Sequence, residues 1–466
     1  MSYQAFIAEK LAHTKTDGID VRRDDFDARY DLMPHQGDLS AWALRRGRAA
    51  IFADTGLGKT RMQLAWAHTV HESTGRPVIV LCPLAVAEQT VGEGKRIGVD
   101  VTHCRTGDDY GPGVNVINYD RLHLIDSGAF AGVVLDESSI IKHHTSKTLG
   151  ALMDAFRATP YKLCATATPA PNDWVELGTH AQFLGVRTQA EMLAEFFVHD
   201  GGETQVWRLK GHARKEFWRW VATWGAMVKS PADLGHDASA YDLPPLYVHE
   251  HIINSVALSG QLFAGGTMTL SERRSARKDS LSGRVKECAE LVNRTPGPWV
   301  VWCELNAEGD ALTTAIDGAA QVSGADSAEH KERILRDFAE GRARVLASKP
   351  SICGWGLNWQ HCANIAFAGV SDSWESYYQA VRRCWRFGQT KPVSVHLFVS
   401  EAESTVLANL KRKESDAQAM SAALSAETLA SVRESVFGSS RESNKYEPKA
   451  AIKLPAFMGG VKSCAA

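Results

Sequence analysis

The chain has 466 residues, with 52 Lys and Arg against 54 Asp and Glu, a formal charge of −2. A composition 44% hydrophobic and 23% charged supplies material for two or three cores and excludes a disordered or collagen-like chain. The near-zero charge argues against coating nucleic acid by bulk charge, and nine scattered Cys with no CxxC pair argue against a disulfide scaffold or zinc site.

Met1–Lys10 does not read as an export signal, and the apolar stretch Val78–Ala87 is too short to span a membrane, so a cytoplasmic location in a bacterium or phage-infected host is expected. Short β-branched runs alternate with amphipathic stretches, the pattern of a parallel α/β sheet. Strands are expected at Ala49–Ala53, Val78–Cys82, Asn115–Asn118, Val133–Leu135 and Lys162–Ala165, with a helix from Lys59 to about His71. The pattern breaks from about Glu191 to Leu243, which is aromatic and basic. It resumes with strands at Trp299–Cys303, Arg344–Ala347, Ile365–Ala368 and Val393–Val399 and helices over Gly283–Asn293, Ser327–Glu340 and Trp374–Trp385. The expected organisation is an N-terminal extension (1–30), a first lobe (31–190), a connector (191–270), a second lobe (271–413), then a helix and a tail without fixed structure (414–466).

Ala53-Asp54-Thr55-Gly56-Leu57-Gly58-Lys59-Thr60 follows an apolar strand and opens a helix, the setting of a P-loop. Gly56 and Gly58 let backbone N–H groups from Thr55 onward surround a phosphate at the positive end of the helix. Lys59 is then placed for the β- and γ-phosphates and Thr60 for Mg²⁺. Asp136 and Glu137 end a buried-looking strand: Asp136 suits the Mg²⁺ shell and Glu137 suits a base that takes a proton from attacking water. Together these motifs indicate hydrolysis of a nucleoside triphosphate. In the second half, Arg383 and Arg386 are spaced to share a helical face, and as arginine fingers they complete such a site only when two lobes close.

The ordered set of motifs resembles superfamily-two helicases, particularly the Swi/Snf-like branch and its compact phage or prophage members, over roughly Asp31 to Ser400. Leu32-Met33-Pro34-His35-Gln36 resembles the upstream glutamine motif, which makes Gln36 a candidate adenine contact. Ala53–Thr60 resembles motif I. Val80–Leu84, with Pro83, and Val116–Asp120, with Asn118, resemble segments near the nucleic-acid path. Asp136–Ser139 resembles motif II and Ala165–Pro169, with Asn172, motif III; Ser139, Thr166 and Thr168 are thereby coupling candidates. Gly354–Asn358, with Gly356, resembles motif V, and Gln379 through Gln389 motif VI; Gly356 and Gln379 are thereby nucleotide-binding candidates. The resemblance implies two tandem RecA-like P-loop lobes, ATP and Mg²⁺ as cofactors, and nucleic acid as partner, DNA ahead of RNA. Ser139 stands where the commoner versions carry His or Asp, and Glu375-Ser376 where Asn-Pro is usual.

In the connector, Trp207, Trp218, Trp220 and Trp224 alternate with Arg208, Lys210, Arg214 and Lys215. At least half of these Trp are expected in a core, and the four cations are candidate phosphate contacts. The leading expectation is an ATP-dependent DNA helicase or translocase, on double-stranded DNA by resemblance. The alternatives are an RNA helicase, or an ATP-gated recruitment module whose C-terminal tail engages a protein partner.

Overall fold

The computed structural model describes residues 18–83, 86–142, 146–171, 173–199, 207–253, 280–353, 357–371, 373–400 and 404–437. In chain order, α1 (Arg23–Tyr30) and α2 (Pro34–Arg46) precede β1 (Arg48–Ala53) and α3 (Lys59–Thr74). Next come β2 (Val78–Cys82), α4 (Ala87–Arg96), β3 (Val101–His103), β4 (Val114–Asn118), β5 (Gly132–Asp136), α5 (Lys147–Ala155) and β6 (Tyr161–Ala165). Helices α6 (Leu177–Leu184) and α7 (Gln189–Phe196) lead to the hairpin β7 (Phe197–His199) and β8 (Trp207–Leu209), then α8 (Arg214–Ala222) and β9 (Gly225–Val228).

All seven strands of the first sheet are parallel, in the order β3-β4-β2-β5-β6-β1-β9. Strands β2, β4 and β5 are buried at every position because helices cover both faces, which explains their unbroken apolar sequences. Along β1, Ala49, Ile51 and Ala53 enter one core and Ala50 and Phe52 the other, the two-residue period of a strand covered on both sides.

The second lobe comprises β10 (Leu246–Ile253), α9 (Leu281–Arg294), β11 (Trp299–Trp302), α10 (Asn306–Ala315), β12 (Ala319–Val322), α11 (Ala328–Ala339), β13 (Val345–Ser348), α12 (Pro350–Cys353), β14 (Asn364–Phe367), α13 (Trp374–Val381) and β15 (Val393–Ser400). Its six strands are parallel in the order β10-β15-β14-β11-β13-β12. The molecule is thus α/β, built of two RecA-like lobes. The final helix, α14 (Ser404–Phe437), leaves the second lobe through buried Val406, Leu407 and Leu410. It reaches the first lobe's core with Val432 and Val436, and Arg45 there donates to Val436 O at 2.9 Å. At 1.5 Å per residue it spans about 50 Å.

Expected strand positions agree with the structure to within one residue at either end, and β3, β7, β8, β9, β10 and β12 are additional. Two of these additions divide the connector: β9 pairs with β1 as an edge of the first sheet, and β10 pairs with β15 as an edge of the second. Strand β9 is the small-residue run Gly225-Ala226-Met227-Val228, and β10 is mostly exposed and interrupted by His249, Glu250 and His251, so neither reads as the unbroken β-branched run of a central strand. Helix α1, expected within an N-terminal extension, buries Phe26 and Tyr30 in the first core. Trp218 and Trp224 are buried in the core on the other face of the sheet, with Ala50 and Phe52. Trp220 is half-buried, stacked on Phe196 at 5.5 Å and lying under the Arg187 guanidinium. The tail beyond residue 437 lies outside the described residues.

Candidate nucleotide site at the lobe interface

Strands β1, β5 and β6 are neighbours in a parallel sheet, so the segments that leave their C-terminal ends converge. These segments carry Asp54–Lys59, Asp136–Glu137 and Thr166–Thr168. Gly56 and Gly58 have φ of +96° and +83°, the left-handed backbone that bends the loop into the N-terminus of α3. A Cβ on Gly58 would come within 2.1 Å of the Gln36 amide, so a side chain there would displace Gln36 as well as strain the backbone.

Inside the loop, Lys59 Nζ donates to Ala53 O at 2.9 Å and lies 3.4 Å from Asp54 O. Burial pushes the Lys59 ammonium below its ordinary range, while Glu137, Asp54 and Asp136 pull it back and Arg386 opposes it. Gln36 is buried; its Nε2 donates to Leu57 O at 3.1 Å and its Oε1 accepts from Met33 N, so it ties the glutamine motif to the loop. Asp136 Oδ1 accepts from Gln63 Nε2 at 2.6 Å, and its backbone carbonyl accepts from the Tyr119 hydroxyl at 2.7 Å. Burial and the adjacent Glu137 raise the Asp136 carboxyl to about 6. Glu137 itself has φ +52°, a left-handed conformation costly for a side-chain residue, and its Oε2 accepts from Thr166 Oγ1 at 3.4 Å.

The second lobe brings three guanidinium groups to this pocket. Helix α13 was expected to run to Trp385, with Arg383 and Arg386 on one face. Instead it ends at Val381, and the chain tightens into turns through Arg382, Arg383 and Arg386. Arg383 is buried and fixed by three bonds, to Gln379 O at 2.8 Å, Gln379 Oε1 at 2.9 Å and Leu357 O at 3.1 Å. Arg386 makes one bond, to Leu357 O at 3.2 Å. Burial, then repulsion from Arg383 and Arg382, pushes Arg386 down to about 9, while Glu137 favours its charge. Arg382, which sequence reasoning passed over, crosses the interface: it donates to Thr55 O at 2.6 Å and lies 3.4 Å from Asp54 Oδ2.

The residues fit a nucleoside triphosphate with a hard divalent cation. Glycine-permitted loop backbone, a buried ammonium and opposing guanidinium groups suit phosphate oxygens, and the Thr60 hydroxyl with the Asp136 carboxylate is an oxygen donor set suited to Mg²⁺. Gln379, expected at the nucleotide, is engaged elsewhere: it accepts from Arg383, and its Nε2 lies 3.5 Å from Thr168 Oγ1. Ser139 is buried, and its hydroxyl has no hydrogen-bond partner among the described residues. Gly356 and Asn172 lie outside the described residues.

Next to the site a cleft of about 1350 Å³ runs between the lobes. Pro83 and Asn118 line it, as do Glu137 and Ser139, so two of the expected nucleic-acid contacts share one space with the Asp136–Ser139 segment. Its cations are Arg96, Arg105, Lys142, Lys331 and Arg336. Arg208, Lys210, Arg214 and Lys215 are not among the lining residues. Lys210 instead donates to Ala194 O and Glu195 O at the end of α7, and Arg208 is exposed on the β7–β8 hairpin. The cleft cations were hidden as a group from sequence reasoning because they are scattered over α4, the loop after β3, the turn after β5 and α11, and become neighbours only through lobe apposition.

Residues 286–388 match the helicase conserved C-terminal domain, within the second lobe and ending just past the arginine cluster. This match supports a place among helicase-superfamily proteins. The chain is also 22% identical to a putative protein, p41, of Acyrthosiphon pisum secondary endosymbiont phage 1, over 79% of this chain and 92% of that protein. No helix among the described residues is long and apolar enough to cross a membrane.

Proposed function

We propose that this protein is an ATP-driven nucleic-acid motor, a cytoplasmic DNA helicase or translocase of the Swi/Snf-like branch acting on double-stranded DNA. The observation that carries the reading is the apposition of Arg382, Arg383 and Arg386 on one lobe to the phosphate loop and the Asp136–Glu137 pair on the other. Loop N–H groups and Lys59 bind phosphate oxygens, with Gln36 beside the loop on the adenine side. Thr60 and Asp136 would hold Mg²⁺, which offsets phosphate charge when bound. Glu137 accepts a proton from water at its carboxylate, and Arg383 and Arg386 stabilise negative charge that develops as the phosphoryl group transfers. Because these cations come from the second lobe, hydrolysis is tied to lobe closure, and closure changes the shape of the cleft that holds nucleic acid.

Preference for duplex DNA rests on the motif resemblance. The test is the ATPase rate with single-stranded, duplex and forked DNA and with RNA, at two salt concentrations. Duplex DNA is expected to stimulate most and to lose effect at high salt, because backbone phosphates carry the contacts. Greatest stimulation by RNA would make it an RNA helicase. A rate indifferent to every nucleic acid would overturn the motor reading and leave the recruitment alternative, with the tail as a protein-docking segment.

A further inference from the structure

Glu375 sits on α13 of the second lobe, is 7% exposed, and gives both carboxylate oxygens to the first lobe. Its Oε2 pairs with Lys142 Nζ, and its Oε1 accepts from Thr168 Oγ1 at 3.3 Å. Both partners lie on segments that fix Glu137. Lys142 closes the short turn Ser138–Ile141 that begins at Glu137. Thr168 donates its N–H to Thr166 Oγ1, and Thr166 in turn donates to Glu137 Oε2. One turn along α13, Gln379 links Thr168 to Arg383. A single chain of contacts therefore runs Arg383–Gln379–Thr168–Glu375–Lys142 and crosses the lobe boundary.

Two further facts give this chain a direction. The Ser139 hydroxyl, in the turn between Glu137 and Lys142, has no partner among the described residues, so it supplies no tie from that turn to the Thr166–Thr168 segment. Lys142 lines the inter-lobe cleft, so one end of the ion pair faces the space proposed for nucleic acid and the other is buried. A carboxylate this buried is tolerable only while it is paired; separating the lobes rehydrates it, which makes the contact a two-state element.

We propose that Glu375 is a positioning residue that transmits occupancy of the cleft to Glu137 through Lys142 and Thr168. The inference rests on the motor reading above and deepens it. The test compares wild type, E375A, E375Q, K142A and the K142A/E375A double variant in ATPase assays with and without duplex DNA, after thermal melts confirm folding. E375A is expected to lose about 10-fold of the DNA stimulation while its DNA-free rate stays within about twofold of wild type, the size of effect coupling residues produce. E375Q keeps a Thr168 acceptor but no charge, and is expected to lose about threefold. The double variant is expected to lose no more stimulation than the worse single variant, since both remove one interaction. Wild-type stimulation in both Glu375 variants, equal loss of free and stimulated rates, or additive losses in the double variant would each overturn the inference and leave the motor reading intact. An unstimulated wild-type protein would overturn both. Should E375A fail to fold, E375Q decides.

Discussion

The Tyr378 hydroxyl donates to the Asp54 carboxylate at 2.8 Å, a bond from a second-lobe helix to the glycine loop of the first. Asp54 Oδ1 also accepts from Thr55 N at 2.6 Å, so the carboxylate is shared between its own loop and the opposite lobe. With Arg382 on Thr55 O, the loop is fixed from outside as well as by its glycines. Burial raises the Tyr378 phenol far above its ordinary range, with the Asp54 charge adding to it, so the hydroxyl remains a donor at all working pH values. The loop proposed for phosphate is therefore shaped by the second lobe as well as by its own sequence.

Removing this clamp should cost ATP binding. Arg382→Ala is expected to raise KM for ATP about 10-fold, because a charge-assisted bond is lost and the loop must be ordered by the ligand. Tyr378→Phe removes one bond and is expected to raise KM by about fivefold or less. Steady-state kinetics at saturating DNA check both. A normal KM in Arg382→Ala would show that the loop is held by its own sequence.

Arg386 is a cleaner arginine-finger test than Arg383. Arg383 fixes Gln379 and Leu357 through three bonds, so its loss also loosens the interface, whereas Arg386 makes a single bond to Leu357 O. Arg386→Ala is expected to lower kcat by about 100- to 1000-fold while ATP still binds. Lys59→Ala, which removes the ammonium inside the loop, should abolish turnover. Binding of a fluorescent ATP analogue separates the two losses. Unchanged kcat in Arg386→Ala would remove Arg386 from the reaction.

The difference between what sequence revealed and what it hid follows from chain locality. The glycine turn into α3 and the strand end at Asp136–Glu137 were legible because a strand end and a few consecutive residues form each one. Strands such as β2 and β5 were legible because burial on both faces leaves an apolar run. The inter-lobe contacts were not: Tyr378–Asp54, Arg382–Thr55 and Lys142–Glu375 each join residues more than 200 positions apart. The sequence marked Glu375 only as an unusual residue, and no local pattern could say that it faces Lys142. The basic cluster Arg208–Lys215 shows the same limit from the other side: charges adjacent in sequence lie on a hairpin and a helix surface outside the cleft lining, which no local pattern foretells.

That separation of the two basic groups yields a prediction. If nucleic acid runs through the inter-lobe cleft, Lys331→Ala and Arg336→Ala, both on α11 and lining it, should weaken DNA binding and each reduce the salt slope by about one counterion. Arg208→Ala and Lys215→Ala should leave binding within about twofold, as expected for exposed charges outside the contact. Fluorescence anisotropy against a labelled duplex over a salt series is the measurement. Larger losses at Arg208 and Lys215 than at Lys331 and Arg336 would move the nucleic-acid path to the β7–β8 hairpin.

A buried histidine beneath motif II predicts how stability depends on pH. His180 on α6 is fully buried, its ring edge-on to Phe52 at 5.3 Å, with Nδ1 facing Glu176 O at 3.4 Å and Nε2 3.1 Å from Ser138 Oγ. The Glu176 carbonyl accepts from the imidazole and the Ser138 hydroxyl can donate or accept, so the neutral ring is accommodated without a charged partner. Burial pushes the imidazole down from 6.5 to about 4. The unfolded chain therefore binds more protons than the folded one between these values. Stability from the neutral ring is complete above about 6.5 and is lost as pH falls toward 4; at pH 5 the loss is about 2 kcal/mol. His180→Gln keeps a polar side chain at the Ser138 contact but cannot titrate. Its urea-unfolding free energy should fall by about 2 kcal/mol less than that of wild type between pH 7.5 and pH 5. Other buried histidines act alike in both proteins, so the difference isolates this ring. Identical pH slopes in the two proteins would show that His180 is not held neutral beneath Ser138.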